Sequence, residues 1–192
     1  MKINEIFYSL QGEGYHTGKA AIFVRLSGCN LRCAFCDTKH ETFQEYTDED
    51  ILNEIAGYPT RHLIFTGGEP ALQLSATTIS FFKKHGYYIQ VETNGTRELP
   101  AGIDWITCSP KFEFCRQAEV RLTHIDELKV VYDGSNDMTC YNKIEAQNYA
   151  LQPCDTGNAA RNAHIIQQTV DYILSHPKWR LSLQTHKSLN IR

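Results

Sequence analysis

Short apolar runs recur along the chain, and amphipathic stretches long enough to be helices lie between several of them. Residues 20–26, 62–65, 88–91, 105–107, 128–131, 149–151 and 181–183 read as strands, and residues 48–56, 76–85 and 159–174 as helices. Thr47 stands where the first helix needs a cap, with acids in its opening turn, and Gly86 follows the second as a natural stop. Strands alternating with helices predict an α/β protein with a mainly parallel sheet. No repeat, low-complexity segment or Pro/Gly/Ser linker divides the chain, so one domain over residues 1–192 is expected.

The text that follows each strand is more informative. Thr66-Gly67-Gly68-Glu69-Pro70 ends one run and Glu92-Thr93-Asn94-Gly95 the next. Ser109-Pro110-Lys111, Gln152-Pro153-Cys154-Asp155 and Gln184-Thr185-His186 follow others. In a parallel sheet all of these ends share one edge, where ligands bind. Any one of them alone is only a polar turn, but five in a row make a shared site. A full eightfold barrel takes about 250 residues, so a shortened, partly open barrel suits 192 residues.

Composition narrows the partners. The formal charge is −3 and no dense basic run occurs, which gives no footprint for a nucleic-acid backbone and favours a small molecule. The N-terminus lacks the apolar core of a signal peptide, and no stretch reaches the length of a membrane span, so a cytoplasmic protein with reduced cysteines and no membrane partner is expected. Of the seven cysteines, Cys108, Cys115, Cys140 and Cys154 are dispersed and read as small buried fillers.

Cys29, Cys33 and Cys36 fall within eight positions and can converge on one metal centre. On spacing alone two readings are open. His40 would complete a Cys3His zinc site in a binding module without redox chemistry. Alternatively, three thiolates on a cubane of four irons leave one iron open to an outside ligand. The glycine pair at Gly67-Gly68 favours the second, because it lets a backbone approach a ligand whose ammonium or carboxylate needs main-chain partners.

The CxxxCxxC loop followed by Gly67-Gly68-Glu69-Pro70 resembles the radical S-adenosylmethionine superfamily. The resemblance implies a 4Fe-4S cluster whose fourth iron is chelated by the methionine part of S-adenosylmethionine. A narrower likeness rests on residues 6–14, Cys36-Asp37-Thr38, Ser109-Pro110-Lys111, residues 127–131, Gln152-Pro153 and Gln184-Thr185-His186-Lys187, which together are similar to the 7-carboxy-7-deazaguanine synthases. That family contracts the ring of 6-carboxy-5,6,7,8-tetrahydropterin to 7-carboxy-7-deazaguanine, releasing ammonia, on the route to queuosine and other deazapurines. It is homodimeric and Mg²⁺-dependent, and takes its electron from a donor such as a flavodoxin or ferredoxin. A glycyl-radical-enzyme activase, also small and with the same cysteine spacing, is the rival within the superfamily.

The resemblance also implies roles. Thr38 would hold Mg²⁺. Phe35, Asp37, Gly68, Glu69, Asn94, Ser109, Pro110, Lys111, Gln152, Pro153, Cys154 and Asp155 would meet S-adenosylmethionine. Leu10, Gln11, Gly12, Glu13, Arg25, Thr66 and the α-carboxylate of Arg192 would meet the substrate, and no side chain need act as general acid or base. Two of these have a reading from the residues themselves. Gln11, in a glycine-bracketed turn, offers backbone and amide groups to the edge of a pterin, or is simply part of a turn. Arg25 interrupts an apolar run, so its charge needs either a substrate carboxylate, held bidentately, or a protein acid.

Overall fold

The computed structural model describes residues 1–33, 36, 42–112 and 118–192. One nine-stranded sheet organises them. It is built from β1 (Lys2–Leu10), β2 (Ala20–Leu26), β3 (Gln44–Glu45), β4 (His62–Gly67), β5 (Tyr88–Thr93), β6 (Trp105–Cys108), β7 (Glu127–Tyr132), β8 (Asn148–Pro153) and β9 (Arg180–Leu181). The helices are α1 (Asp48–Ile55), α2 (Ala76–Lys84), α3 (Ala159–Ser175) and α4 (Thr185–Leu189). The strand order is β3-β1-β2-β4-β5-β6-β7-β8-β9, with every pair from β2 onward parallel and β1 antiparallel to both its neighbours. The edge strands β3 and β9 do not pair, so the barrel is partly open, as the alternation and length predict.

Period-two alternation sorts each strand between two faces. Ile22, Val24 and Leu26 of β2, Leu63 and Phe65 of β4, and Ile89 and Val91 of β5 turn outward. They pack against Ile51 and Ile55 of α1 and Ile79 and Phe82 of α2 in one buried cluster. A second cluster joins Leu128 and Val130 of β7 to Leu151 of β8 and Trp179. The alternate positions face inward and are largely polar: Arg25, Thr66, Gln90, Glu92, Thr107, Glu127, Lys129 and Gln152. The helices are capped as expected. In α1 the Thr47 hydroxyl accepts from Asp50 N–H at 3.1 Å while Asp50 accepts from Thr47 N–H at 2.8 Å, and α2 stops before Gly86 at φ 78°.

Four of these strands and helices depart from the sequence expectation, the first being the two-residue edge strand β3, which is exposed and has no apolar run to read. β1 has mixed burial and a register irregularity between Ile3 and Glu5, which breaks the alternation that would reveal it. The strand expected at 181–183 is the two-residue β9, and the five-residue α4 buries no side chain and so leaves no apolar period to read. Several strands also run further than expected, carrying Thr66, Glu92 and Gln152 on ladders rather than in loops. Of the expected buried cysteines, Cys108 and Cys154 are buried, whereas Cys140 is exposed on the outer side of the 3₁₀ turn Met138–Tyr141, whose first and last residues are the buried ones. Cys115 lies outside the described residues. Among the described residues no helix is long and apolar enough to cross a membrane.

Candidate active site

The C-terminal ends of the parallel strands open into one cavity of about 1050 Å³. Cys29, Cys33 and Cys36 line it at the end of β2, none of them in a disulfide. The loop that carries them is clamped to β4 through its backbone: Gly68 N–H donates to Leu26 O at 2.9 Å and Glu69 N–H to Gly28 O at 2.8 Å. A Cβ on Gly68 would lie 1.9 Å from Gly28 O, and one on Gly67, at φ 121°, 2.3 Å from Leu26 O. The glycine pair is therefore dictated by close backbone approach as well as by any ligand. Gly68→Ala is expected to cost about 1–3 kcal/mol from overpacking and to reduce cluster content, measured by thermal unfolding and by iron and sulfide assay. A variant with full cluster and an unchanged melting temperature would contradict that role.

The thiols suit a cluster. Leu31 N–H donates to Cys29 Sγ at 3.4 Å, a bond of the kind that tunes cluster sulfurs, while burial pushes the Cys29 thiol up. Cys36 N–H closes a turn on Cys33 O at 3.1 Å. Among the described residues no three His, Cys, Asp or Glu side chains converge on a single-ion site. All three cysteines line the same cavity. Phe35, Asp37, Thr38 and His40 lie outside the described residues.

The remaining expected positions fall into two groups. Gly68, Asn94, Ser109, Lys111, Gln152, Pro153, Cys154 and Asp155 line the cavity from the end of β4 round to β8, and Leu10, Gln11, Gly12, Glu13, Arg25 and Arg192 line it from the β1–β2 side, with Thr66 of β4 beside Arg25. Glu69 and Pro110 are buried and absent from the wall. The Glu69 carboxylate accepts from Thr93 Oγ1 at 2.6 Å, Asn94 N–H at 2.7 Å and Ala71 N–H at 3.0 Å, so it braces the ends of β4 and β5 against each other.

Both open questions about single residues receive an answer in geometry. Arg25 Nε donates to Glu5 at 2.8 Å, and Arg192 reaches the other oxygen of that carboxylate at 2.5 Å, with both guanidiniums near the Phe7 ring. Arg25 thus has a protein acid and also lines the cavity. Gln11 is 5 % exposed and bonded through both its backbone and its side chain. Its backbone closes the β1–β2 hairpin with Lys19 and Gly18, its amide donates to Glu92 at 3.1 Å, and its side-chain oxygen accepts from Glu13 N–H at 3.1 Å. A ligand can use its second amide N–H or second lone pair, or exchange those bonds.

Sequence reading missed the charged floor of the cavity. Lys129 Nζ, 7 % exposed, lies 2.7 Å from Glu13 and 2.9 Å from Glu92. Burial alone would raise the Glu13 carboxyl, but Lys129 beside it, with Gln184, lowers it to about 2. Below, Gln90 donates to Glu92 at 2.8 Å while its amide oxygen sits 2.8 Å from His16 Nδ1 and 2.9 Å from His62 Nε2. Both ring nitrogens must therefore carry protons, which fixes the tautomers if the rings are neutral. Burial brings His62 down to about 4, so it is neutral at pH 7. The signal available was polarity at inward positions of apolar strands, as at Lys129 and Gln90.

Comparison with known proteins agrees with this geometry. Residues 23–111, which hold the cysteine loop and the glycine pair, match the model of the Radical SAM superfamily. The chain is 51% identical to 7-carboxy-7-deazaguanine synthase of Bacteroides thetaiotaomicron, over 100% of this chain and 98% of that one. It is 38% identical to the enzyme of that name from Haemophilus influenzae, over 98% and 93%. The crystal structure of QueE from Escherichia coli superposes with a TM-score of 0.80 at 30% identity, covering 95% of this chain and 92% of that one. With likeness along the whole length, and not only across the cluster-bearing half, the chain belongs to the 7-carboxy-7-deazaguanine synthases, a family of radical S-adenosylmethionine enzymes.

Proposed function

We propose that the chain, as one domain, contracts the ring of 6-carboxy-5,6,7,8-tetrahydropterin to give 7-carboxy-7-deazaguanine and ammonia. The observation that carries this is the meeting in one cavity of Cys29, Cys33 and Cys36 with Gly68 on one side and Arg25, Thr66 and the Leu10–Glu13 turn on the other. A 4Fe-4S cluster held by the three thiolates supplies one-electron reductive cleavage of S-adenosylmethionine. The strand ends from Gly68 to Asp155 place the cofactor, and the β1–β2 side places the pterin with its carboxylate toward Arg25. Positioning and exclusion of water are the protein's contribution. The resemblance further supports Mg²⁺ at Thr38, a homodimer, a flavodoxin or ferredoxin donor and a cytoplasmic setting.

Anaerobic enzyme with reconstituted cluster, given the carboxytetrahydropterin, S-adenosylmethionine, Mg²⁺ and reductant, is expected to form the deazaguanine. Cleavage of S-adenosylmethionine without that product would point to an activase, and a colourless protein with one zinc and no sulfide would sink the radical reading. Arg25→Ala is expected to leave the cluster spectrum intact and raise the KM for the pterin roughly 10- to 100-fold, the worth of a charged hydrogen bond of about 1.5–3 kcal/mol. Unchanged KM would leave Arg25 as a partner of Glu5 and not of the substrate.

A further inference from the structure

Residues 182–192 cross the mouth of the open barrel from its last strands to its first. Ser182 N–H donates to Leu151 O at 3.0 Å and its hydroxyl to Gln152 at 2.8 Å, while Gly14 N–H donates to that same hydroxyl at 2.9 Å. Thr185 donates to Gly12 O through both N–H and Oγ1 at 2.9 Å, and Ser9 Oγ donates to Arg192 O at 2.6 Å. The segment has little core of its own: α4 buries no side chain and has no side-chain cap at its start. Its place is set mainly by polar bonds to loops on either side, and such segments open locally at low cost.

Within this strap two side chains in series, Lys187 and Gln184, span both sides. Lys187 Nζ donates to Asp155 at 2.6 Å, beyond the end of β8, and to the Gln184 amide oxygen at 2.8 Å. The Gln184 amide nitrogen donates to Glu13 at 2.9 Å on the β1–β2 side, and Glu13 meets Lys129 at 2.7 Å. The other Asp155 oxygen accepts from Gly157 N–H at 2.9 Å and Asn162 at 2.7 Å, which ties it to the start of α3. The Lys187 and Asp155 side chains are 40% and 35% exposed, and a pair that exposed adds little to stability. Its distinguishing property is what it connects.

We infer that Lys187, acting through Asp155 and Gln184, is a positioning residue that makes the strap a clamp coupling the two ligand sites, so that S-adenosylmethionine and the pterin each bind more tightly when the other is present. The inference rests on the functional reading above, which puts the cofactor at Asp155 and the substrate at Gly12 and Glu13. A ligand that orders either loop orders the strap, and the second ligand then meets a loop already held. Linkage requires the effect to be equal in both directions.

The test measures the dissociation constant of S-adenosylmethionine on cluster-loaded, unreduced enzyme with and without saturating carboxytetrahydropterin, and the reciprocal titration. Wild type is expected to show the same tightening, at least about fivefold, in both directions. Lys187→Met should bring the factor to within about twofold of unity with the cluster spectrum unchanged, raise the KM for the pterin, and release more 5′-deoxyadenosine per product. Lys187→Arg should restore the coupling. Wild type that binds both molecules with no mutual effect, or Lys187→Met and Gln184→Ala variants that keep the full factor, would overturn the clamp. Holoenzyme that binds neither molecule would overturn the functional reading itself.

Discussion

Replacing Cys33 by alanine is expected to give a folded protein with no 4Fe-4S cluster and no detectable cleavage of S-adenosylmethionine. The cluster loop has three thiolates for a four-iron cage, and one iron must stay open for the cofactor, so no ligand is spare. The fold should survive, since the loop is fixed to the sheet by bonds that avoid Cys33: Ser27 N–H to Lys2 O at 2.9 Å, Gly68 N–H to Leu26 O at 2.9 Å, and Asn30 to Thr96 at 2.7 Å. Visible absorbance, electron paramagnetic resonance after reduction and sulfide assay read the cluster, and circular dichroism reads the fold. Wild-type sulfide and cleavage in the variant would remove Cys33 from the ligand set.

The largest loss of stability should come from Lys129→Met. Its ammonium lies between the Glu13 and Glu92 carboxylates, and removing it leaves two acids facing each other in the barrel with no cation between them. Breaking a buried pair from one side costs about 3–5 kcal/mol. Denaturant titration should show that drop, and Lys129→Met combined with Glu13→Gln and Glu92→Gln should recover much of it. A loss below about 1 kcal/mol would place the ammonium in an effectively aqueous setting. The pH dependence follows in sign. Glu13 is ordinarily near 4.5 and is brought to about 2 in the fold, so its contribution is full above 4.5 and fades as the pH falls toward 2. Without Lys129 that acid limb should begin at higher pH.

The parts of the molecule legible in sequence were those whose cause is local. The outward, buried positions of the parallel strands stood out as short apolar runs, and the cysteine loop and Gly67-Gly68 declared themselves by spacing. β1 was hidden by its irregular register, and α4 by having nothing to bury. The charged floor was hidden because its partners are far apart in the chain: Lys129 meets Glu13 and Glu92 only when β7 and β5 and the β1–β2 turn share one interior. Glu69 has a further task that its place in a ligand-binding string does not reveal: its carboxylate braces two strand ends.

The strap over the mouth sets an order of events in time. A chain is made from its N-terminus and its parts fold in that order, so residues 29–36 leave the ribosome long before residues 182–192. A newly made molecule presents its three thiols at an unwalled sheet edge, accessible to whatever delivers iron and sulfide and equally to oxidants. The cavity those thiols line gains its last wall only once residues 182–192 are laid across its mouth, and Cys36 stays exposed even then.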